Sequence, residues 1–422
     1  MFFSDKKEIT HTTSEVFNTG RELPLNYHDR SIDEQFINIL GANTHCVIYG
    51  CSKQGKTSLR KRHINDSECI SITCQPNWNL KKLIQSILNK AGCKIISNVE
   101  KTIGGEIGAE AELPSILKVS IKLSSEKKYN EENTCILDLD DINQVIDLLK
   151  KINFEKYIIL EDFHYLQPET QKSFAYALKA FQDNSNITFI IIGIWLEKDR
   201  LTVLNGELRG RIQSINADYW SATDLTKVFE NSERLLNVKF NSAFKNLLIE
   251  LCRGSIFIFQ QICAEACTQS GIYKTQPEIK HVGMGFDVYS EIKNILSVQN
   301  SRYEKFLTEF SGGFGDTESQ PYKMIIIGLI IAEEKDLNRG IYTQALLRLI
   351  KDYLVKKISL PQMSVFLSRI IELQTKIDIK PTVIEYNSNA KQIQIVDKAF
   401  VIWRAFQEKD DLLELLDETL SI

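Results

Sequence analysis

The sequence predicts an α/β fold built on a parallel sheet, and three observations carry that prediction. Short apolar, β-branched runs at His45–Tyr49, Tyr157–Leu160 and Ile187–Ile194 alternate with stretches of helical periodicity. These runs are apolar on both faces, as strands are when helices cover each side of a sheet. A glycine-bounded loop joins the first run to a helix, where α/β proteins place their ligand crevices.

Taken in order, Phe17 to Leu40 reads as a loop and a short helix leading to the first strand, His45 to Tyr49. A helix at Thr57 to Ile64, a strand at Cys69 to Cys74 and a helix at Leu80 to Ala91 follow. The strand at Tyr157 to Leu160, a helix at Glu169 to Gln182 and the strand ending at Ile194 complete the alternation. An insertion at about 103–133 interrupts it. There GEIGAEAEL and ILKVSIKL alternate with period two around Pro114 and Ser115, which reads as a β-hairpin, with Glu106, Glu110 and Glu112 facing Lys118 and Lys122. The hairpin serves either as surface ornament or as a finger for a subunit, a partner or nucleic acid.

From Thr223 the pattern is purely helical, as in DLTKVFENSERLLN and AFKNLLIELCRGSIFIFQQICAEAC. After the flexible run SGGFGDTES, helices are expected at Tyr322–Glu333, Tyr342–Lys356 and Leu360–Gln374, then strands near Thr382–Tyr386 and Gln392–Val396. Three helices and a β-ribbon make a winged-helix pattern. The expected domains are thus 1–222 with the insertion, a helical lid at 223–310, a winged-helix domain at 320–407 and a solvated acidic tail at 408–422.

With 422 residues, 43% of them hydrophobic and 25% charged, the chain suits two or three globular domains rather than long disorder. Its net charge of −4 exerts no global pull on nucleic acid. Nine cysteines include no CxxC pair and read as reduced thiols; Cys263 and Cys267, one helical turn apart, read as core. MFFSDKKEIT lacks the apolar stretch of a signal peptide, and Met324 to Ala332 is too short to span a bilayer, so the cytoplasm is expected and no membrane partner.

The loop Gly50-Cys51-Ser52-Lys53-Gln54-Gly55-Lys56-Thr57 matches G-x-x-x-x-G-K-[ST] between a strand and a helix, the context that gives this pattern its physical meaning. Glycines let the backbone curl so that N–H groups converge on phosphate, and the helix dipole adds positive potential. ATP with Mg²⁺ is the expected ligand of Gly50 to Ser58. Lys56 reaches the β- and γ-phosphates, Thr57 ligates the metal and Ser58 is a secondary candidate. Cys51 occupies a free loop position, where it either simply fills space or acts as a redox switch. The apolar strand YIIL ends in Glu161 and Asp162, two carboxylates placed to orient Mg²⁺ and to activate water.

This order of motifs, over roughly Phe17 to Gly271, resembles the AAA+ and STAND P-loop ATPases, especially the origin-recognition initiators and related archaeal and bacterial ATPases. The family's second motif reads Asp then Glu, whereas this chain has Glu161 then Asp162. By position the resemblance gives Glu161 the magnesium role and Asp162 the water-activating role, with a base one methylene shorter and slower hydrolysis. The tip of the next strand, Gly193-Ile194-Trp195, lacks the polar sensor the family carries there. In NGELRGRIQSINADYWSATDL, Arg209 and Arg211 stand where the family aims an arginine at a neighbour's nucleotide, against the alternative of ordinary surface ion pairs.

Arg253 precedes the lid glycine where the family's basic sensor follows it, and Gly20-Arg21-Glu22 with Arg30 resemble the segment over the adenine. The resemblance implies a homo-oligomer in the nucleotide-bound state. It also implies a service in bacterial stress or phage defence, which the residues themselves do not indicate. The winged helix has a DNA-touching counterpart in the initiator branch. Here its third helix, LPQMSVFLSRIIELQ, offers Arg369 alone, which favours a protein effector over DNA. Three roles remain open: an ATPase driving assembly, a slow nucleotide switch that recruits an effector, and a DNA-loading factor.

Overall fold

In the computed structural model, which describes residues 10–20, 22–98, 116–120, 134–315, 319–354 and 356–418, the apolar runs pair as expected. The chain forms two compact units, Asp29–Tyr49 with Lys56–Ala217, and the described residues up to His28 with Gly50–Gly55 and those from Asp218 onward.

The first unit contains β1 (His45–Tyr49), β2 (Cys69–Thr73), β3 (Lys94–Asn98), β4 (Ile116–Ser120), β5 (Thr134–Asp138), β6 (Tyr157–Glu161), β7 (Phe189–Gly193) and β8 (Ile212–Asn216). Five of these make a parallel sheet in the order β2-β6-β7-β1-β8, so one strand separates the loop-bearing β1 from the acid-bearing β6. Alternate residues point to opposite faces. Val47, Ile158, Leu160, Phe189 and Ile191 pack with Leu83, Val145 and Phe174 of the helices Leu80–Lys90, Ile142–Lys151 and Pro168–Asn184. Cys46, Ile48, Ile159, Ile190 and Ile215 meet Phe36, Ile39 and Leu59 on the other face. β1 and β7 are buried along their whole length, and each such apolar side chain gains roughly 1.5–3 kcal/mol from burial.

The insertion departs from expectation. β4 is the middle strand of an antiparallel sheet β3-β4-β5, with Leu117 opposite Leu137 and Val119 opposite Cys135. The expected partner strand, with Glu106, Glu110 and Glu112, and Lys122 lie outside the described residues. The period-two pattern of β4 was legible, but strands at Lys94–Asn98 and Thr134–Asp138 take up its pairing, and their mixed composition hid them. Lys118 points outward while Leu117 and Val119 enter the core.

The second unit begins its helical part at Ala222–Leu236, Ser242–Leu251 and Ile256–Gln269, with a small parallel pair β9 (Val238–Phe240) and β10 (Lys280–Val282). The buried Asn26 amide nitrogen donates to Ser232 Oγ (3.0 Å) and to Gln260 Oε1 (2.9 Å), tying the N-terminal segment to these helices. Helices Pro321–Ile331, Thr343–Leu349, Leu360–Ser368 and Ile370–Lys376 then accompany an antiparallel wing of β11 (Ile341–Tyr342), β12 (Ile384–Asn387) and β13 (Gln392–Ile395), in the order β11-β13-β12. The third expected helix breaks at Arg369, whose backbone leaves helical geometry.

Lid and winged helix, expected as separate domains, share one core running from Phe229 and Phe259 through Phe306 and Ile325 to Trp403. Tyr303 of the helix Asn300–Gly312 joins them, its ring 5.3 Å from Phe400 and 5.0 Å from Trp403. The acidic end is no solvated tail either. Its helix Lys409–Glu418 is amphipathic and buries Leu412 and Leu416 in the same core. Cys263 and Cys267 are fully buried, as expected of core thiols. Among the described residues no helix is long and apolar enough to cross a membrane.

Candidate nucleotide-binding site

β1 ends at Tyr49 and the helix Lys56–His63 begins after six intervening residues, a loop of unusual backbone. Gly50 (φ 141°) and Gly55 (φ 83°) take left-handed conformations that favour glycine, and Lys53 adopts φ 59°. A Cβ on Gly50 would meet Asp218 Oδ1 at 2.7 Å, so the first glycine is required twice over.

In the second unit the first half of the loop is bound to the chain itself. The Cys51 N–H donates to Asp218 Oδ1 (2.5 Å) and the Ser52 N–H to the Val396 carbonyl (2.9 Å). The buried Cys51 thiol donates to the Ile395 carbonyl, which puts its sulfur out of an oxidant's reach. Trp220 Nε1 donates to the Gln54 carbonyl (3.3 Å), and the Gln54 side chain accepts from the N–H of Ile256 at the start of a helix (3.4 Å). Lys398 Nζ donates to the Asp218 carbonyl, and the Lys53 ammonium sits 3.8 Å over the Phe257 ring. Among the described residues, the N–H groups of Lys53, Gln54 and Gly55 have no acceptor. Curled donors of this kind are what phosphate oxygens fill.

In the first unit, Thr57 at the head of its helix donates its hydroxyl to Glu161 Oε2 at 3.3 Å. Ser58, half-buried, follows it. Glu161 closes β6, opposite Thr73 of β2, and Arg60 approaches its other oxygen at 3.8 Å while pairing with Asp66 at 3.0 Å. Burial raises the Glu161 pKa; Arg60 opposes the shift and Asp162 adds to it. Asp162 follows in a left-handed conformation (φ 56°), which aspartate tolerates better than most residues. Burial raises its pKa too, against the pull of the Lys56 ammonium. A hydroxyl and a carboxylate this close form the hard-oxygen pair that Mg²⁺ prefers, and a cation would remove the cost of the buried charge. The donor set therefore fits the metal.

No family model matches the chain, and no curated protein does. Among solved structures, a Walker-type ATPase of Pyrococcus abyssi superposes with a TM-score of 0.50 at 14% identity, over 93% of this chain and 100% of that one. The chain shares the fold of that Walker-type ATPase. Cdc6p from Pyrobaculum aerophilum (13% identity, 97% and 98% coverage, TM-score 0.41) and the Aeropyrum pernix ORC1 protein solved in complex with DNA (12%, 99% and 99%, 0.44) are also similar.

Within this fold the arginines fall into distinct places. Arg211 leads into β8, whose first residue pairs with His45, so it lies at the opposite end of the strands from Glu161. Its Nε donates to Asp183 (2.7 Å) and its guanidinium also to the Glu207 carbonyl (2.8 Å). Arg209 is exposed. Neither stands beside the acid pair of its own chain. Arg253 pairs with Glu334 at 2.6 Å. Arg30 is buried and donates to the Ala217 carbonyl, while Arg21 lies outside the described residues.

Sequence reasoning missed several contributors. Asp218 and Trp220 were visible only as the polar-aromatic run that follows β8. Val396 acts through its backbone carbonyl, which carries no side-chain signature. His164 reaches the tip of β7, where no polar residue comes from β7 itself: the Ile194 N–H donates to its Nδ1 at 3.3 Å.

Proposed function

We propose that the chain is a Mg²⁺-dependent ATP-binding switch of AAA+ and STAND type, which hydrolyses ATP slowly and uses its nucleotide state to assemble or to recruit a protein partner. Two observations carry the reading: the Thr57–Glu161 contact in one unit, and in the other the loop N–H groups of Lys53, Gln54 and Gly55 that have no acceptor among the described residues. Lys56 neutralises the β- and γ-phosphate oxygens, while Thr57 and Glu161 hold the metal. When bound, Mg²⁺ offsets the negative charge of the phosphates. Asp162 accepts the proton of the attacking water, and its shorter side chain than the family's glutamate supports slow turnover.

Arg211 and Arg209 lie away from the acid pair of their own chain, which is compatible with action on a neighbouring subunit's nucleotide, an action for which Arg211 must leave its ion pair with Asp183. Contacts of Cys51, Ser52 and Gln54 with Asp218, Val396 and the helix at Ile256 support a coupling of loop occupancy to the C-terminal unit. A protein effector is favoured over DNA for the winged helix. Arg369, the only basic residue in the third-helix segment, is paired with Glu372 (3.1 Å) and stacked 3.9 Å over Phe314. The STAND resemblance extends the proposal to stress or phage defence.

The test is ATP binding, phosphate release and subunit mass, with and without ATP, for wild type, Lys56→Ala and Arg211→Ala. Lys56→Ala is expected to lose ATP binding by at least about 100-fold. Arg211→Ala is expected to keep binding but turn over about 10-fold more slowly under conditions where ATP raises the mass. ATP uptake indifferent to Lys56 sinks the site, and a mass unchanged by ATP sinks the assembly role.

A further inference from the structure

Two histidines are buried in the first unit, and they differ in one respect. His45 uses both ring nitrogens, with Nδ1 accepting from the Phe189 N–H (3.1 Å) and Nε2 donating to the Leu178 carbonyl (3.0 Å). That is a satisfied core histidine. His164 uses only one. Its Nδ1 accepts from the Ile194 N–H, which assigns the ring proton to Nε2. The residue is 9% exposed, its Nε2 is closed to solvent, and that N–H meets no acceptor among the described residues. A buried donor left unanswered is costly, and a ligand, ion or catalytic role is among the reasons a chain keeps one.

The position of His164 says which ligand. It lies in the turn after β6, three residues beyond Glu161 and two beyond Asp162, and it is anchored to the residue that follows β7. β7 supplies nothing polar at this tip. Gly193 is held by the Trp195 ring, which a Cβ there would strike at 1.6 Å, and Ile194 is apolar. Burial, with the nearby charges of Lys56 and Arg200 acting in the same direction, depresses the basicity of His164 to a pKa of about 3, so the ring is a neutral donor. The Lys56 that acts on it is the lysine of the phosphate loop.

We propose that His164 reads the terminal phosphate of bound ATP, its Nε2–H donating a hydrogen bond to a γ-phosphate oxygen in place of the polar residue that β7 lacks. The inference rests on the reading of Gly50–Ser58 as an ATP site. No proton is transferred; the imidazole stays neutral and stabilises charge on the phosphoryl oxygens as the bond to the leaving ADP breaks. Solvent exclusion at Nε2 strengthens the contact, because no water stands in for the phosphate oxygen.

The experiment measures turnover and separate ATP and ADP dissociation constants for wild type, Lys56→Ala, His164→Ala and His164→Gln. Glutamine carries an amide N–H near the position of Nε2. His164→Ala is expected to slow turnover by about 10- to 100-fold and to cut the preference for ATP over ADP about 10-fold. ADP affinity should stay within about 3-fold of wild type, and His164→Gln should recover most of both losses. An unchanged rate and ATP-to-ADP ratio in His164→Ala overturns the inference. So does an equal loss of ATP and ADP affinity that glutamine does not rescue, since that marks a packing role. A wild type that takes up no ATP defeats the ATP-site reading and this inference together. Lys56-dependent uptake with an indifferent His164→Ala defeats this inference alone.

Discussion

The two halves of the Gly50–Ser58 loop are finished to different degrees. In the first half, Cys51 and Ser52 find acceptors in Asp218 and Val396, and Gln54 is held at both its backbone and its side chain. Around the second half, Glu161 and Asp162 carry pKa values raised by burial, and His164 presents a donor with no acceptor. The first half is anchored by folding alone, although its Lys53 and Gln54 N–H groups still lack acceptors among the described residues. The second remains electrostatically expensive until something negative arrives with a cation. Sites that do chemistry on phosphate accept local cost of this kind, and the well-satisfied half holds the loop in shape meanwhile.

The largest effect expected from breaking the unfinished side is at Asp162. Asp162→Asn keeps a residue that tolerates the left-handed backbone at φ 56°, so the turn into the next element survives. It removes only the carboxylate. Phosphate release should fall about 100- to 1,000-fold, the contribution of a positioned base, while ATP binding stays near wild type. Single-turnover hydrolysis beside equilibrium ATP binding checks this. Turnover retained in the asparagine variant would move the base to another residue and leave the contrast between the halves unexplained.

How much of this contrast was legible in the sequence differs by half. The chemistry proposed for the second half rests on side chains: Lys56, Thr57, Glu161 and Asp162 have types and spacings that suit phosphate and metal ligation. The support of the first half was not legible, because it is made by backbone atoms and by residues far along the chain. Val396 contributes a carbonyl that any residue could present, and nothing at position 396 marks it. His164 was hidden for another reason. A histidine after an apolar strand is ordinary, and only its unanswered nitrogen, visible in three dimensions, distinguishes it from His45. In the fold, buried strands stood out by their uninterrupted apolar runs. β3 and β5 did not, being mixed in composition, and the shared core of lid and winged helix was hidden because period and composition say nothing about which helices meet.

An intermediate effect should come from the finished half. Asp218→Ala leaves the Cys51 N–H without its acceptor and frees the first glycine from the carboxylate it packs against. A buried N–H left unsatisfied costs about 1–3 kcal/mol. The expected outcome is ATP binding weakened about 10-fold, with turnover at saturating ATP within about 2-fold. Asp218→Asn keeps a side-chain oxygen for the same N–H and should bind ATP within about 3-fold of wild type. Titration of both variants with ATP checks the pair. Equal binding by alanine and asparagine variants, both at the wild-type level, would show that the carboxylate does not hold the loop.

The smallest expected effect concerns stability and has a defined sign. Glu161 has a folded pKa raised above its unfolded value, chiefly by burial, so the folded chain holds its proton more tightly than the unfolded one. Stability therefore falls as pH rises from the unfolded carboxylate range, near about 4.3, through the folded value, and the loss is complete above it. Glu161→Gln removes the charge and leaves Arg60 its pairing with Asp66 at 3.0 Å. Without added nucleotide, the variant should melt about 2–4 °C above wild type near pH 8, and the gap should close as pH falls toward about 4. If Glu161 holds the metal as proposed, added Mg²⁺ and ATP should reverse the order, stabilising wild type more than the variant. A variant that melts at or below wild type near pH 8 would mean that Arg60 and Thr57 already offset the buried charge, and the second half of the loop would be as finished as the first.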